Sequence, residues 1–202
     1  MNLFSKLIPV LALMGLLLYG CSENPFNPVT VNNISTNTNY DFSTPTKTIE
    51  NLVRAYEQLN TDLFKSCLAE DFRFELIESD APDIGIDMDG DGIKDSWWGY
   101  QQEIRYHENL FENGSSDNSY PPPDQIILEI PTNDLVWTDD TDSEGLPNGY
   151  KYTDVHFSLT LQYNSNGQTI SSNGFVRFYL VNKSITDTPR WSIIIWRDNS
   201  WL

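Results

Sequence analysis

Basic side chains are scarce in this sequence of 202 residues. Twelve lysines and arginines stand against 29 aspartates and glutamates, which gives a formal net charge of −17. Nucleic acids and anionic lipid headgroups are bound mainly through lysine and arginine, and a surface this acidic repels them. The composition therefore argues against nucleic acid or a bare anionic membrane surface as a partner, and it favours cations.

A hydrophobic run long enough to cross a bilayer is also missing. The main apolar segment, residues 7–18, is too short to span comfortably, and a short n-region with Lys6 precedes it. The segment leads into Leu-Tyr-Gly-Cys, ending at Cys21. This sequence resembles the lipobox of bacterial lipoproteins, although Tyr19 is bulkier than the residue usual at its position.

The lipobox resemblance implies that residues 1–20 are a signal peptide and that Cys21 is acylated and becomes the mature N-terminus. The mature chain then carries a charge of −18, because the signal removes Lys6 and no acid. The lipobox resemblance further implies a lipid-anchored protein of the bacterial cell envelope, on the periplasmic face or at the cell surface. Cys21 would hold it in the bilayer. A membrane-spanning helix is the alternative, which the polar sequence after Cys21 disfavours.

Cysteine is nearly absent. With Cys21 lipidated, Cys67 has no partner for an intrachain disulfide, and its apolar neighbours predict a buried structural thiol. The sequence also lacks a Ser-His-Asp or Cys-His nucleophile set, a phosphate-binding loop and a dinucleotide fingerprint. The enzyme classes that depend on those motifs are not indicated.

The chain divides into a polar segment and one domain. Residues 21–43 are dominated by Asn, Thr, Ser and Pro, with apolar residues too sparse for regular periodicity, and they are predicted to form a flexible tether. Tyr40 and Phe42 are the tether residues best suited to dock onto the domain. Residues 44–202 are predicted to form a single domain.

Three helices are predicted in the N-terminal part of the chain, with one strand, residues 72–76, between the second and the third. The first opens with the N-cap Thr44 and a proline at the first helical position, and apolar residues then recur at helical spacing. A shorter helix restarts at residues 60–62 and ends at Asp71. After a polar loop, a third helix presents an apolar stripe from Trp97 to Phe111.

Strand patterns dominate the second half of the chain. Strands are predicted at residues 72–76, 126–130, 135–137, 155–163, 169–181 and 190–197, with a hairpin turn at 164–167. This order predicts an α+β domain in which N-terminal helices pack against a strongly bent antiparallel sheet. The residues predicted to share its core are Leu52, Phe64, Phe74, Ile104, Phe111, Leu159, Phe178 and Ile193.

This order of elements resembles the nuclear transport factor 2-like superfamily. Two helices followed by Leu-Ala-Glu-Asp-Phe-Arg-Phe from Leu68 resemble its opening, and residues 191–198 resemble its closing strand. The likeness covers about residues 44–198 and is greatest to uncharacterised bacterial lipoproteins of this fold. It implies a cystatin-like or nuclear transport factor 2-like cone, a bent sheet wrapped around helices with a cavity inside.

The resemblance does not fix a function, because the same cone serves isomerases, dehydratases and purely binding proteins. In the steroid-isomerase branch the catalytic base is an aspartate at the end of the first strand. Matching Asp71 to the acidic turn of that branch puts Leu76 in the position of the base. This departure argues against steroid-isomerase chemistry.

Four residues are candidates to line the cavity as acid or base groups: Tyr56, Glu75, Glu103 and His107. Glu103 and His107 are four residues apart on a predicted helix, so their side chains share a face. A hydrogen-bonded core histidine is the simpler interpretation of His107, because the sequence shows no third metal ligand. Glu75 is predicted to face the opposite side of its strand from Leu76.

A dense acidic motif begins at Asp87 and reads Asp-Met-Asp-Gly-Asp-Gly-Ile-Lys-Asp. Alternating carboxylates with glycine at the sixth position let a short loop surround a hard cation, and this pattern predicts calcium. The predicted ligands are Asp87, Asp89, Asp91 and Asp95 with the backbone oxygen of Ile93. The loop resembles thrombospondin type 3 and dockerin loops, and it differs from an EF-hand at position 12, which is Trp98. An acidic turn without a metal is the alternative.

Two functional hypotheses follow. The first is a membrane-anchored, non-catalytic domain that binds or scaffolds a small molecule, a glycan or a protein and carries a calcium loop. The second is a small-molecule enzyme of the isomerase or dehydratase type that uses the cone cavity. Convergence of the candidate side chains in an open pocket favours the enzyme, and a cavity filled by aromatic side chains favours binding.

Overall fold

The structure is a computed structural model that describes residues 40–115, 119–140, 149–164, 167–184 and 188–199. Its helices are α1 (Pro45–Glu57), α2 (Thr61–Cys67), α3 (Ala81–Ile84) and α4 (Tyr100–Glu108), which continues as a π-helical turn, Asn109–Asn113. Its strands are β1 (Leu68–Glu75), β2 (Trp97–Gly99), β3 (Gln125–Glu129), β4 (Thr138–Asp140), β5 (Tyr150–Tyr163), β6 (Gln168–Asn182) and β7 (Trp191–Asp198).

Side-chain caps fix the starts of the first two helices, as the sequence predicts. At α1 the hydroxyl of Thr44 accepts the N–H of Lys47, and Pro45 fills the first helical position. At α2 the side-chain oxygen of Asn60 accepts the N–H of Leu63.

The end of α2 differs from the prediction. The helix stops at Cys67, and Asp71 lies within β1. The chain turns into a strand at Leu68 because Leu68 pairs with Ile193 of β7. This long-range contact overrides the local helical pattern.

The described strands form one strongly curved sheet in the order β2-β1-β7-β6-β5-β3, with β4 also paired to β5. Helices pack against it, so the α+β class is confirmed. The pairings are antiparallel except that β1 runs parallel to β7. The predicted antiparallel sheet is therefore a mixed sheet with one parallel pair.

Two predicted elements are placed differently. Trp97 belongs to β2, where it pairs with Glu75 of β1, and the third long helix begins only at Tyr100. Residues 135–137 do not form a strand, because no strand among the described residues pairs with them, and Val136 is 76% exposed. The strand of this region is β4, which pairs with the start of β5.

The predicted core is confirmed. Seven of the eight residues are buried in one hydrophobic cluster and Leu159 packs against it. Phe42 belongs to the same cluster, and its carbonyl accepts the N–H of Trp191 at 2.9 Å. The amide of Asn51, itself buried, donates to the carbonyl of Asp41. Tyr40 and Phe42, the tether residues best suited to dock onto the domain, therefore do pack against it.

Candidate functional site

Three of the four predicted cavity residues meet in the interior. Tyr56 lies near the end of α1, and Glu103 and His107 lie one helical turn apart on α4. All three side chains are buried. The predicted face of α4 therefore does turn inward, toward α1.

A chain of hydrogen bonds connects these residues. The hydroxyl of Tyr56 lies 2.6 Å from Nε2 of His107, and Nδ1 of His107 lies 3.0 Å from the backbone oxygen of Glu103. Since a carbonyl oxygen only accepts, Nδ1 carries the proton and Nε2 accepts from Tyr56. Trp98 donates its indole N–H to Oε2 of Glu103 at 2.5 Å.

Burial dominates the electrostatics of this network. Desolvation raises the pKa of Glu103 to about 7, although the hydrogen bond from Trp98 lowers it. Desolvation lowers the pKa of His107 to about 4, against the hydrogen bond to the Glu103 backbone, and raises the pKa of Tyr56 well above its usual value. At neutral pH His107 is therefore an uncharged imidazole.

Aromatic rings fill the space around this network. Phe64 stacks on the imidazole of His107, and Phe111 meets it edge to face. Trp98 stacks on Phe74 of β1 with 4.5 Å between ring centroids. The acid and base groups converge, but hydrophobic side chains pack directly against them.

Glu75 lies apart from the other three candidates. Its carboxylate pairs with Arg197 of β7 at 2.5 Å and with Arg73. Phe74 and Leu76 on either side of it are buried in the main core, so alternation along the chain turns Glu75 to the other face of the sheet. Glu75 is therefore not grouped with the buried network.

The acidic loop is organised by its own backbone. Both carboxylate oxygens of Asp87 accept backbone N–H groups, one from Gly90 and one from Gly92. These glycines have φ of +83° and +87°, conformations that a side chain disfavours. At the base of the loop the N–H of Asp95 donates to the carbonyl of Ile86 at 2.8 Å.

Three of the five predicted calcium ligands are close together. One carboxylate oxygen each from Asp87, Asp89 and Asp95 lies within 4.8 Å of the others, the only such group found among the described residues. Asp91 does not belong to this group, and its carboxylate accepts the N–H of Ile93 at 2.7 Å. The side chain of Ile93 is exposed. Carboxylate oxygens alone are a donor set that suits a hard cation such as calcium.

Sequence reasoning missed the role of Trp98. Its position beside the acidic loop suggests an exposed indole, but the structure buries it against Phe74 and hydrogen-bonds it to Glu103. Its neighbour Trp97 is exposed instead. Neighbouring residues of β2 point to opposite faces of the sheet, which is why Trp98 is buried and Trp97 is exposed. Predicting a strand at residues 97–99 would have indicated this.

Other predicted residues have simpler outcomes. Cys67 is a free, buried thiol, as predicted, and burial raises its pKa. Cys21 lies outside the described residues, so its lipidation stays a prediction. Within the part of the chain that the structure describes, no helix is long and apolar enough to cross a membrane.

The chain matches no protein-family model and no curated protein. Solved structures with a similar arrangement include a nuclear transport factor 2-like superfamily protein from Salmonella enterica serovar Typhimurium (12% identity over 77% of this chain and 87% of that one, TM-score 0.46). Another is ActVI-ORFA from Streptomyces coelicolor (8% identity, 75% and 90% coverage, TM-score 0.47). A third is Aln2 from a Streptomyces species (12% identity, 77% and 86% coverage, TM-score 0.47). These likenesses concern the fold alone.

Proposed function

We propose that this chain is a lipoprotein of the bacterial cell envelope whose single domain is non-catalytic and acts by binding or scaffolding. The observation that carries the non-catalytic part is the direct packing of Phe64 and Phe111 on His107. An acid-base site needs space for a substrate within hydrogen-bond reach of its catalytic groups. Here the positions next to the imidazole are taken by rings, by Tyr56 and by the backbone of Glu103.

Anchoring is proposed from the sequence. The short n-region, the apolar residues 7–18 and the small residue before Cys21 support cleavage and lipidation at Cys21. The surface charge supports a partner that does not depend on anion recognition, such as a neutral small molecule, a glycan or a protein.

A calcium-binding loop is the second part of the proposal. The spacing of the acidic residues supports it, and so does the proximity of the carboxylates of Asp87, Asp89 and Asp95. Three like charges within a few ångströms repel one another, and a bound divalent cation offsets that repulsion. Calcium would then stabilise the connection between β1 and β2.

The enzyme hypothesis remains the second candidate because one observation favours it. The hydroxyl of Tyr56 bonds to Nε2 of His107, and a carboxylate oxygen of Glu103 lies 3.5 Å from Nδ1 of the same ring. The pKa of Glu103 near 7 suits general acid or base catalysis. For this hypothesis the rings around His107 must move aside to admit a substrate.

The two histidines of the chain provide a direct test. Diethyl pyrocarbonate acylates neutral, accessible imidazoles, and mass spectrometry of peptides reports each histidine separately. We expect exposed His156 to react in the native full chain and buried His107 to react only after unfolding. The low pKa of His107 keeps it neutral, so protection reports inaccessibility rather than protonation. Comparable native rates at both positions would reject the closed interior and favour the enzyme.

A further inference from the structure

The hairpin of β5 and β6 contains a long uncharged stretch. Charged residues make up 20% of the chain, yet none occurs from residue 155 to residue 176. The two strands pair along this whole stretch, from Val155 with Val176 to Tyr163 with Gln168. In a protein with a net charge of −17, this stretch adds no charge of its own to repel an approaching acidic chain.

The same hairpin extends beyond its neighbour β7. The pairing of β6 with β7 ends at Val176 with Asp198, and one further bond joins the N–H of Asn199 to the carbonyl of Phe175 at 2.9 Å. Among the described residues, positions 169–174 of β6 pair on one side only, with β5. Within this part of the chain they form what we call the free edge of β6.

The backbone groups that face outward follow from alternation along the strand. The carbonyl of Phe175 points away from β5, because it accepts from Asn199. In an antiparallel strand every second residue turns both its N–H and its C=O to the same side. Thr169, Ser171 and Asn173 therefore present their backbone groups at the free edge, and all three are exposed.

This edge lacks the features that usually protect edge strands. Lysine, proline or an inward-pointing charge commonly prevents edge-to-edge association. Residues 169–174 read Thr-Ile-Ser-Ser-Asn-Gly and contain none of these. An exposed run of unpaired N–H and C=O groups is a template for an added strand.

We propose that the free edge of β6 pairs with the same edge of a second copy of this chain, antiparallel, around a two-fold axis at Ser171. In this register Ser171 lies opposite Ser171 of the second copy, and Thr169 lies opposite Asn173 of the second copy. Short hydroxyl and amide side chains suit such cross-strand pairs, and the hydroxyls of Thr160 and Ser171 already meet across β5 and β6 at 3.1 Å. The pairing is self-complementary, as a two-fold interface requires.

A second copy fits this edge better than a foreign strand does. The outward side chains are small and uncharged, so they offer no pocket or charge that selects a particular foreign sequence. Two mature copies repel each other strongly over most of their surface, since each carries −18, and the charge-free hairpin lets them approach. The association is of the weak kind, because one strand edge buries less than the roughly 1,000 Å² of a stable interface.

Disulfide trapping in the full chain tests the pairing. Residues in a hydrogen-bonded antiparallel pair have Cα atoms about 5.5 Å apart, a separation that a disulfide spans. Under mild oxidation Ser171→Cys should give a covalent homodimer. Ser172→Cys is the matched control, because residue 172 turns its backbone toward β5 and its side chain to the opposite face. We expect at least about fivefold less dimer from this control, an estimate based on the difference in side-chain direction. The native thiol Cys67 is buried and should not contribute.

Two further arms separate specific pairing from random collision. Asn173→Pro in the Ser171→Cys background removes an outward N–H but none of the bonds to β5, and it should reduce the dimer several-fold. Raising the salt from ~20 to ~300 mM NaCl should increase the dimer, because it screens repulsion between acidic copies. Equal trapping at positions 171 and 172, an exclusively monomeric product, or a mixed disulfide with a different protein would each overturn the proposal.

Discussion

The rings of Phe64 and His107 lie face to face, with 3.7 Å between their centroids and 15° between their planes. Phe64 comes from α2 and His107 from α4, so the stack joins the two helices over the buried network. The fold thus brings acid and base groups together and at the same place covers them with an aromatic ring. This combination underlies the non-catalytic function proposed above.

Removing the hydroxyl of Tyr56 should destabilise the fold. In Tyr56→Phe, Nε2 of His107 loses its donor while it stays buried, and an unsatisfied buried acceptor costs about 1–3 kcal/mol. Urea denaturation measures the change in the free energy of unfolding. Tyr40→Phe is the control, since the hydroxyl of Tyr40 makes only a 3.5 Å surface contact with Gln58. Equal effects of the two substitutions would contradict the importance of the buried bond.

Glu103 should make stability fall as the pH rises. Its pKa is about 7 in the folded state and near 4.5 when unfolded, so between these values the folded state holds more protons. Its contribution to the free energy of unfolding is full below pH 4.5 and decreases up to about pH 7. His107, with a folded pKa of about 4 against 6.5, contributes the opposite slope between pH 4 and 6.5.

The glutamate contribution is isolated by the variant Glu103→Gln. Its stability relative to the wild type should rise between pH 4.5 and 7, by at most about 1.4 kcal/mol per pH unit. Denaturation at several pH values measures this difference, with exposed Glu57→Gln as the control. A difference that stays constant with pH would show that Glu103 ionises freely in the folded state.

Calcium should raise the melting temperature through the acidic loop. A ligand that binds only the folded state at a hundredfold excess over Kd adds about 2.7 kcal/mol of stability. Asp89→Asn should abolish this response, since it removes one of the three grouped carboxylates but keeps an oxygen for the N–H of Asp91. Asp83→Asn changes an exposed carboxylate outside this group, so it should keep the calcium response. Extracellular calcium modules bind at ~10⁻⁴–10⁻³ M, so ~10 mM calcium should saturate the site. If the melting temperature of the wild type does not change up to that concentration, the loop is an acidic turn without a metal.

Lipidation at Cys21 should depend on its thiol. Mass spectrometry of the membrane fraction should find a mature N-terminal peptide that starts at acylated Cys21. Cys21→Ser should abolish this product, whereas Cys67→Ser, which changes a buried thiol, should leave it intact. An unmodified Cys21 in the mature wild-type protein would reject the envelope anchor.

Phe42 should contribute to stability as a core residue rather than as part of a tether. Its ring is buried, contacts the guanidinium of Arg190 and packs in the main hydrophobic cluster. Phe42→Ala should cost about 3–5 kcal/mol in the free energy of unfolding, measured by urea denaturation. Val136→Ala at an exposed position should cost less than about 0.5 kcal/mol. If both changes are equally mild, the domain begins after residue 42.

Local sequence signals predicted much of the fold. The cap at Thr44, the alternating apolar residues of β5 and the glycine at the hairpin turn are each contained within a few neighbouring residues. These signals were sufficient for the helix starts, for the long hairpin and for the shared core. They failed at Leu68 and Trp97, where a partner strand distant in sequence decides between helix and strand.

The candidate site was predicted in part for the same reason. The spacing of Glu103 and His107 was enough to put them on one helical face. Spacing cannot show that Tyr56 approaches from another helix or that Phe64 stacks on His107, because both contacts depend on how the helices pack. The orientation of Trp98 toward Glu103 likewise depends on the pairing of β2 with β1.

The sequence by itself determined the acidity of the chain, the candidate anchor at Cys21, the acidic loop, and the concentration of helices in the N-terminal part and of long strands in the C-terminal part. Each of these rests on residue type or on short-range periodicity. The tertiary structure alone decided that β1 runs parallel to β7, that Glu75 faces away from the buried network and that β6 extends beyond its neighbour. It also decided that the meeting point of Tyr56, Glu103 and His107 is filled. Each of these depends on which distant segments come into contact, and only the packed chain specifies those contacts.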